Sequence, residues 1–534
     1  MTAQQIQETR LENASNSAQG NFYSSPSGFI ESTNPLHNPE IRTEIGRYLK
    51  KSALACCASV CWEWNRTFTP LLYSIVEITK MTNTNPPIET FRRNKSFIKS
   101  MAITTDTLDS KYSHLLMPNL ETLKLHLKDS SNNTEPMIQN HKNIRSLDLS
   151  CVSTNDKIMF WESVASLPHL EELTIRDQYG HETDTMWDIC SSRLKKLNIF
   201  NSQFRGLLAF TGTGTSSIGT ADFHLLRDLT ISKCGFHATI QPVLIMKCQN
   251  LERLVWKIDL FDRGTTTEIA TLFQGFTEIL ASGKWPNIKS LAVGFNLVSD
   301  AAYAEFVRAL NNRTLEEFDV SMTQFGELAF SALKCRFSTL RVLNIRKCPN
   351  LTSANVLEIL ASCPHLQSLT VDRIYAQYLD PNQEWPCRKT LQSLSIEFEL
   401  GQEPKLDEPS AATVMETKPQ KLNEIVFTCL GQLRELKHLS INYHELDIYS
   451  RQNGVVSIPL EIQLSKGLGE LVGLKRLSHF SMGVLTDSLG PGEVDWMLRN
   501  WSNLDILEGF SNSTTEIPME RAVKQKGITI KLNT

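Results

Sequence analysis

The sequence predicts an α/β protein in which a small all-helical module precedes a long solenoid of strand-and-helix repeats. Three observations lead to this prediction. The chain has 534 residues, which is too long for one compact core at roughly 150 residues per domain. A leucine pattern recurs about every 25 residues along most of the chain. Residues that favour the start of a helix precede the first copy of this leucine pattern.

The overall composition is that of a folded chain. Hydrophobic residues make up 41% and charged residues 21%, which is enough apolar material for a buried interior. The 54 lysines and arginines are balanced by 58 acids, so we expect no nucleic acid partner. The chain has no run of about 18 apolar residues that would predict a membrane span, and its polar first residues do not resemble a secretory signal. We therefore expect a cytoplasmic or nuclear protein with no membrane partner.

The amino-terminal part of the chain differs in kind from the repeats. Residues 1–33 are rich in Ser, Asn, Gln and Gly and poor in aliphatic side chains, which predicts a disordered segment. Residues 34–75 contain helix signals and predict two or three short helices. A unit of about forty residues is too small to be securely stable alone, so a partner or the adjoining repeat must cover its apolar surface.

The first helix is predicted from its opening and its apolar face. Residues 38–40 supply an asparagine cap, a proline at the first helical position and an acid that favours the helix dipole. Ile41, Ile45 and Leu49 then repeat every four residues along one side, and Tyr48 widens the stripe.

A second helix is predicted to start at Ser52, and Pro70 is expected to end a third, short one. At helical spacing, one side of the second helix is formed by Leu54, Cys57, Ala58, Cys61 and Trp64. Residues 75–78 predict the strand that leads into the solenoid.

The repeat unit is a six-residue pattern with leucine or a similar residue at positions one, four and six. We count about fifteen copies, including weaker ones that start at Ile98, Leu477 and Leu504. The other copies start at Leu120, Ile144, Leu170, Leu194, Leu226, Leu251, Ile288, Leu315, Leu340, Leu366, Leu391 and Leu436. Most successive starts are 24 to 27 residues apart, so the basic unit has about 25 residues.

The positions within the unit predict which side chains are buried. Positions four and six are two residues apart and point to the same side of a strand, so they should face the solenoid interior. A second apolar set follows at helical spacing, as in Phe306, Val307 and Leu310. This set predicts helices that close the outer wall.

Four cysteines follow the same period: Cys234, Cys248, Cys348 and Cys363. We interpret them as small buried residues at strand exits and helix ends. The chain has no CxxC pair with further ligands nearby, so we expect no zinc or other metal and no cofactor.

The units resemble leucine-rich repeats, whose period is about 20 to 29 residues. The sequence RKCPNLT at Arg346–Thr352 resembles their cysteine-containing subclass. The resemblance covers about residues 98–534 and implies a horseshoe-shaped solenoid domain over 76–534. Extra residues near 401–420, with three prolines and several acids, predict a flexible insertion. The glycine-rich stretch Gly212–Gly219 lacks the Gly-Lys-Ser/Thr ending of a phosphate-binding loop. We therefore interpret it as a second flexible insertion.

The helical module resembles the F-box motif. That motif runs proline, acid, isoleucine, then isoleucine, tyrosine-leucine, leucine, valine-cysteine and tryptophan. The matching residues are Pro39, Glu40, Ile41, Ile45, Tyr48, Leu49, Leu54, Val60, Cys61 and Trp64. The position of the motif directly before leucine-rich repeats favours this interpretation.

The resemblance implies the substrate-recognition subunit of an SCF-type (Skp, cullin, F-box) E3 ubiquitin ligase. The module would bind a Skp-type adaptor and, through it, cullin, while the repeats hold an unknown target protein. The adaptor-binding residues would be Pro39, Ile41, Ile45, Leu49, Leu54, Val60, Cys61 and Trp64. No catalytic residue is expected, because other subunits transfer ubiquitin. The mechanism would be proximity, which raises the effective concentration of a target lysine.

The target surface is expected on the concave face of the sheet, where side chains alternate with the buried leucines. The candidates are Lys124, His126, Asp148, Arg176, Asn198, Phe200, Lys257, Asp319, Arg346, Asp372, Glu397 and Asn442. Their charges are mixed, which favours a protein or peptide ligand. Phe200 is the most informative candidate, because an exposed aromatic residue on a polar sheet is typical of an interface anchor.

Three other interpretations stay open from the residues alone. The helical module could be a cap that shields the first repeat, since solenoids need capped ends. The chain could be a leucine-rich-repeat scaffold or protein-binding module with no ubiquitin role. An enzyme is less favoured, because Cys61 is placed on the apolar face of a predicted helix, without a motif that would activate it as a nucleophile.

Overall fold

The structure is a computed structural model. It describes residues 34–79, 87–105, 108, 110–127, 134–150, 158–177, 179–180, 189, 192–204, 222–234, 245–257, 266–310, 313–401, 419–441, 458, 460–482, 490–510 and 528–532. The segment 1–33, which we predict to be disordered, lies outside the described residues. The same holds for Gly212–Gly219 and for most of the predicted insertion near 401–420.

The chain divides into two compact units, Met1–Ile75 and Val76–Thr534. The described part of the first unit is helical. It contains a 3₁₀ turn (Pro35–His37), α1 (Pro39–Arg47), α2 (Lys51–Ala58) and α3 (Trp62–Ser74). α1 begins as the sequence predicts, because Asn38 caps it: its Oδ1 accepts a hydrogen bond from the Glu40 N–H at 2.8 Å.

The packed side of α1 differs from the predicted stripe. Arg42 and Gly46 are buried, whereas Ile41 and Ile45 are exposed. Glycine at position 46 lets α1 approach α3 closely, because a Cβ there would overlap Leu71 Cδ1. The apolar stripe of α1 therefore points mainly to solvent, and its polar side faces the module.

The second predicted helix is in fact two helices. α2 ends at Ala58 and α3 begins at Trp62, with Cys61 in an extended conformation between them. Asn65 Nδ2 donates to the Ala58 carbonyl at 2.9 Å and closes the end of α2. Cys61 is therefore exposed, and our placement of it on an apolar helix face, which counted against a nucleophile there, is wrong.

α3 continues through Pro70, which we expected to end a helix. A proline removes one backbone hydrogen bond from a helix interior and normally breaks it. Here the flanking Phe68 and Leu71 pack against Leu54 and Ala58 in the core of the module. We attribute the continuation of α3 to this burial on both sides of the proline.

The second unit is a leucine-rich-repeat solenoid built on one sheet of seventeen described strands. The strands are β1 (Ile75–Thr79), β2 (Ser100–Thr105), β3 (Thr122–Leu127), β4 (Ser146–Ser150), β5 (Glu172–Arg176), β6 (Lys196–Phe200), β7 (Asp228–Ser232), β8 (Arg253–Lys257), β9 (Ser290–Gly294), β10 (Glu317–Asp319), β11 (Val342–Asn344), β12 (Ser368–Tyr375), β13 (Ser393–Glu399), β14 (His438–Ile441), β15 (His479–Met482), β16 (Ile506–Phe510) and β17 (Thr529–Leu532). From β2 onward each strand pairs in parallel with the next. A separate two-stranded ladder joins Tyr179–Gly180 to Gln203–Phe204.

The register of the sheet follows the leucine pattern. The position-four residues of neighbouring repeats pair directly, as Leu123 does with Leu147 and Leu147 with Leu173. These leucines and position-six residues such as Leu125 are buried. The predicted repeat and its inward side are confirmed, and the three weaker copies of the pattern form β2, β15 and β16.

Helices and short 3₁₀ turns return the chain from strand to strand. The α-helices of this unit are α4 (Ile88–Asn94), α5 (Ser110–Ser113), α6 (Thr134–Gln139), α7 (Ile158–Ala165), α8 (Thr266–Ala281), α9 (Asp300–Ala309), α10 (Glu327–Leu333), α11 (Ser353–Ser362), α12 (Pro419–Gly431) and α13 (Pro491–Asn500). The 3₁₀ turns are Lys95–Phe97, Lys334–Arg336, Ala376–Tyr378, Pro386–Lys389, Leu464–Lys466 and Leu468–Gly473. The predicted second apolar set is confirmed, since Phe306, Val307 and Leu310 are buried.

The turns that leave five of the strands share one conformation. The residue four after the position-four residue has a positive φ in five repeats: Asp177, Asn201, Lys233, Met322 and Lys347. In two of these repeats a cysteine follows. Cys348 Sγ donates to the Val320 carbonyl of the preceding repeat at 3.2 Å, and burial raises the pKa of this thiol to about 12. All four periodic cysteines are buried, as predicted.

One arginine joins the ends of two neighbouring helices. All five N–H donors of the Arg313 guanidinium are used on backbone carbonyls. Nη2 donates to Leu280 at 2.8 Å near the end of α8, and Nη1 donates to Ala309 and Leu310 at 2.9 Å at the end of α9. Nε donates to Trp285 at 3.1 Å. Leu280, Trp285 and Leu310 each also accept one backbone N–H, so the guanidinium adds donors at the ends of both helices and caps them.

Charged residues at position two form a ladder along the edge where the strands begin, which we call the edge ladder. Its members, alternating in sign within each run, are Lys99, Glu121, Arg145, Glu171 and Lys195, then Arg227, Glu252, Lys289, Glu316 and Arg341. Each backbone N–H after the first donates to the carbonyl of the preceding member. Lys195 Nζ lies 3.0 Å from Glu171 Oε2, and Arg227 Nη1 lies 3.2 Å from Glu252 Oε1. Neighbouring repeats are therefore joined by opposite charges as well as by the sheet.

Candidate functional site

The first candidate surface is the apolar surface of the helical module. Its exposed side chains are Leu36, Ile41, Ile45, Tyr48, Val60 and Trp62. Tyr48 is 82% exposed and Trp62 is 70% exposed. The buried core of the described module consists of Leu54, Ala58 and Phe68. More large apolar side chains thus lie on the surface of the module than in its core.

The eight predicted adaptor-binding residues divide by their burial. The exposed ones are Pro39, Ile41, Ile45, Val60 and Cys61. Leu49 and Trp64 are half-buried and pack on the core, and the Trp64 ring centroid lies 5.4 Å from that of Phe68. Leu54 is only 6% exposed, so we correct its role from partner contact to internal packing.

An ion pair brings the beginnings of α1 and α3 together. Arg42 Nη1 lies 3.4 Å from Glu63 Oε2 and donates to the Leu36 carbonyl at 3.0 Å. Ile41 directly precedes Arg42, and Trp62 directly precedes Glu63. Exposed apolar residues of two helices are therefore held at the same end of the module.

Leu36 and Trp62 were not among the predicted adaptor-binding residues. Leu36 belongs to a 3₁₀ turn outside the helical stripe, and Trp62 is the first residue of α3. A signal for Trp62 was present. Residues two apart on a helix do not share a face, so once Trp64 packs inward, Trp62 must point elsewhere.

The second candidate surface is the strand face, the side of the sheet formed by positions three, five and seven of each repeat. Of the twelve predicted target-binding residues, Lys124 is exposed and Glu397 is buried, whereas Asn442 lies outside the described residues. The half-buried ones are His126, Asp148, Arg176, Asn198, Phe200, Lys257, Asp319, Arg346 and Asp372.

Many charges on the strand face are paired between different strands. Lys257 Nζ reaches past Gly294 on the intervening strand and lies 2.7 Å from Asp319 Oδ2. Arg346 Nε lies 3.9 Å from Asp372 Oδ1. These pairs neutralise one another, so they give the face no strong charge of one sign.

Glu397 was predicted to face solvent, and this prediction is wrong. The ladder between β12 and β13 has an irregularity after Thr370 that places Arg373 opposite Glu397. Arg373 Nη2 lies 3.0 Å from Glu397 Oε1, whose side chain is 8% exposed. The carboxylate is buried because it has a partner that compensates its charge.

Phe200 is half-buried and not the freely exposed aromatic residue we expected. The Arg176 guanidinium lies over its ring, 4.5 Å from the centroid. Arg176 Nε lies 3.3 Å from Asp148 Oδ1, and His126 Nε2 lies 3.9 Å from Asp148 Oδ2. We call His126, Asp148, Arg176 and Phe200 the Arg176 cluster. It spans the neighbouring strands β3 to β6.

A histidine pair on the strand face was not predicted. His438 and His479 occupy matching positions of β14 and β15, with ring centroids 5.9 Å apart. His479 Nε2 lies 3.1 Å from Glu508 Oε2. Burial, with His479 and Lys437 nearby, lowers the pKa of His438. The pairing could have been predicted, because each histidine comes two residues after a position-one leucine and the two therefore occupy the same position in neighbouring repeats.

Within the described residues, no three His, Cys, Asp or Glu side chains gather in a way that could hold a metal ion. Over the same residues, no helix has both the length and the apolar character needed to cross a membrane.

Comparison with known proteins gives structural similarity only. No family model and no curated protein matches the chain. The chain is similar to one in the crystal structure of the yeast Rad7 and Elc1 complex, with 13% identity, 99% of this chain and 98% of that chain covered, and a TM-score of 0.39. It is also similar to the TLR13–ssRNA13 complex, with 13% identity, 86% and 65% covered, and a TM-score of 0.37. For an internalin (inlF) of Listeria monocytogenes the identity is 11%, the coverage 74% and 76%, and the TM-score 0.26.

Proposed function

We propose that this protein is the substrate-recognition subunit of an SCF-type E3 ubiquitin ligase, acting in the cytoplasm or nucleus. The apolar surface of the helical module binds a Skp-type adaptor and, through it, cullin. The strand face holds the target protein. The chain itself supplies no catalytic residue, because its contribution is to keep a target lysine near the ubiquitin carrier.

The observation that carries the proposal is the set of large apolar side chains exposed on a module with a three-residue core. Exposed apolar patches of this kind mark sites of protein association. Aromatic residues dominate such interfaces, and Tyr48 and Trp62 are the most exposed apolar residues of the module. The F-box resemblance of the same segment, directly before leucine-rich repeats, supports a Skp-type adaptor as the partner.

The test is capture of the adaptor and cullin by the tagged full-length chain. The double variant Ile41→Glu, Ile45→Glu places two charges where the proposal buries two aliphatic side chains. Ile41 and Ile45 are 39% and 41% exposed, so burying the remainder contributes roughly 1 kcal/mol each, and burying an unpaired glutamate costs several kcal/mol more. The two substitutions should therefore weaken the affinity for purified adaptor by more than about 100-fold.

The matched control carries the same change on exposed apolar residues of the repeats. Met322 and Leu328 are 57% and 54% exposed, and Met322→Glu, Leu328→Glu should leave adaptor binding unchanged. Circular dichroism checks that both variants stay folded. If the Ile41, Ile45 variant retains the adaptor and cullin as well as the unchanged chain does, the module does not act as an F-box.

The second candidate function is a leucine-rich-repeat scaffold with no ubiquitin role. The strand face favours it, because a polar sheet of mixed charge can bind a protein without any adaptor. In that case the unchanged chain would retain a target protein but neither adaptor nor cullin.

A further inference from the structure

Arg176 differs from Lys257 and Arg373 in its unused hydrogen-bond donors. Lys257 Nζ bonds both Asp319 and Ser321, and Arg373 is paired with the buried Glu397. The Arg176 side chain is 40% exposed, and Nε makes its one contact to a carboxylate within the described residues. A guanidinium has five N–H donors, so the four on Nη1 and Nη2 have no described partner.

Phe200 holds this guanidinium in a fixed orientation. The ring and the planar group are 4.5 Å apart, centroid to Cζ, on the neighbouring strands β5 and β6. Stacking of this kind positions arginine for planar, bidentate recognition of an oxyanion. Because the orientation exists before a ligand arrives, binding costs little side-chain entropy.

Lys124 is the second cation of this region with unused hydrogen-bond donors among the described residues. Lys124 lies on β3, is exposed and has no ion-pair partner among the described residues. Asp148, on the strand between, is the one acid of the Arg176 cluster and is only partly exposed. Strands are about 4.8 Å apart and Lys124 is level with Thr174, two residues before Arg176, so the Cα atoms of the two cations lie roughly 12 Å apart across the sheet. Asp177, which directly follows Arg176, is a second acid nearby, and its carboxylate already accepts hydrogen bonds from Ser150 Oγ and Asn201 Nδ2.

We propose that the Arg176 cluster binds an acidic peptide segment of the target protein. Arg176 receives a carboxylate of that segment through its two Nη groups, and Lys124 attracts a neighbouring acid. The inference rests on the proposed function in one respect, namely that the strand face holds the target. It adds the chemical class of what is held, a peptide rich in aspartate or glutamate.

The test uses the purified full-length chain and a fluorescein-labelled ten-residue peptide of alternating glutamate and alanine. A second peptide carries glutamine in place of glutamate. Fluorescence anisotropy at low ionic strength should give an affinity at least about tenfold higher for the glutamate peptide, the effect of one charged bidentate contact. Added salt should reduce the difference.

Three substitutions separate a specific contact from general attraction. Arg176→Gln should remove the preference for the glutamate peptide. Arg176→Lys should keep only part of this preference, because lysine has the same charge but cannot donate two parallel hydrogen bonds to one carboxylate. Lys196→Gln is the matched control. Lys196 also lies on the strand face but has a counter-ion, with its Nζ 3.8 Å from Asp228 Oδ2, so its loss should leave the preference intact. Circular dichroism checks the fold of each variant.

Equal binding of the glutamate and glutamine peptides would overturn the inference, as would a preference that survives Arg176→Gln. A third peptide with phosphoserine in place of glutamate distinguishes the source of the anion, and binding of that peptide alone would overturn the assignment to carboxylates. Adaptor capture is measured on the same protein. If the unchanged chain captures the adaptor but shows no preference for the glutamate peptide, only this inference is rejected. If the unchanged chain does not capture the adaptor, the proposed function is rejected.

Discussion

Replacing Arg313 with methionine should open the ends of α8 and α9 without unfolding the solenoid. Methionine keeps much of the aliphatic length of arginine but has no donor. Five backbone carbonyls would lose a guanidinium donor, and three of them, Leu280, Trp285 and Leu310, would keep one backbone N–H. Arg313 thus offers a direct measure of how strongly one side chain joins two repeats.

The structure gives the size of the effect. A hydrogen bond from a charged donor contributes roughly 1.5–3 kcal/mol. The carbonyls near Arg313 fall into two groups, one at each helix end, and those at the surface can regain water. Counting one such bond for each helix end gives a destabilisation of about 3 kcal/mol.

Hydrogen exchange followed by mass spectrometry is the suitable assay, because a repeat array opens locally and a single melting temperature would average over it. A loss of about 3 kcal/mol corresponds to exchange roughly 100-fold faster. The faster exchange should appear in peptides from α8 and α9. Peptides from β2 to β5 should not change.

Arg308→Met is the control, because Arg308 is exposed in the last turn of α9 and makes no described bond to α8. It should alter exchange little. If Arg313→Met exchanges no faster than Arg308→Met at these helix ends, the five hydrogen bonds do not stabilise the junction and the reasoning fails.

Three further predictions concern other buried groups. Burial raises the pKa values of the Cys348 and Cys363 thiols to about 12, so in the native protein at pH 8 iodoacetamide should label them at least about tenfold more slowly than exposed cysteines. Burial lowers the pKa of His141, so the unfolded chain binds the proton more readily and the free energy of unfolding should fall as the pH drops below about 6.5; His141→Gln should reduce this fall in urea titrations at pH 7.5 and 5.5. Phe68→Ala should cost about 3–5 kcal/mol in a module with a three-residue core and abolish its protection from proteolysis.

Each of these predictions has an internal control. The exposed Cys335 should react at once, and equal labelling of all cysteines would contradict the burial argument. His224→Gln alters a histidine whose side chain is 64% exposed, and it should leave the acid sensitivity unchanged. Leu36→Ala shortens an exposed residue of the same module and should preserve protease resistance. A Phe68→Ala chain that resists protease equally well would show that the core does not depend on this ring.

The repeats could be predicted because their signal is local. Side chains two apart on a strand share a face whatever surrounds them, so leucines at positions four and six are buried in every described repeat that has them. The same reasoning found the buried cysteines and even the weaker copies of the pattern. It required nothing about which strand lies next to which.

The errors lie where contacts distant in sequence decide the outcome. Apolar spacing runs on past Ala58, and the end of α2 depends on the side chain of Asn65. The alternation along β13 predicts an exposed Glu397, but the irregular register of β12 places Arg373 opposite it. The alternation along β6 likewise predicts an exposed Phe200, but an arginine of the neighbouring strand stacks on its ring. Each residue was assigned from its own strand or helix, and in each case the neighbouring element changed its environment.

The edge ladder limits how a chain of this kind can change in length. Because charges alternate, deleting the one repeat that carries Glu171 would set Arg145 beside Lys195 and put like charges in contact, whereas deleting two adjacent repeats keeps the order of signs. Two members of equal sign already adjoin at Lys195 and Arg227, where the starts are 32 residues apart. Within the edge ladder, evolutionary gain or loss of repeats should therefore favour even numbers, except at this junction, where a single added repeat with an acid would complete the alternation.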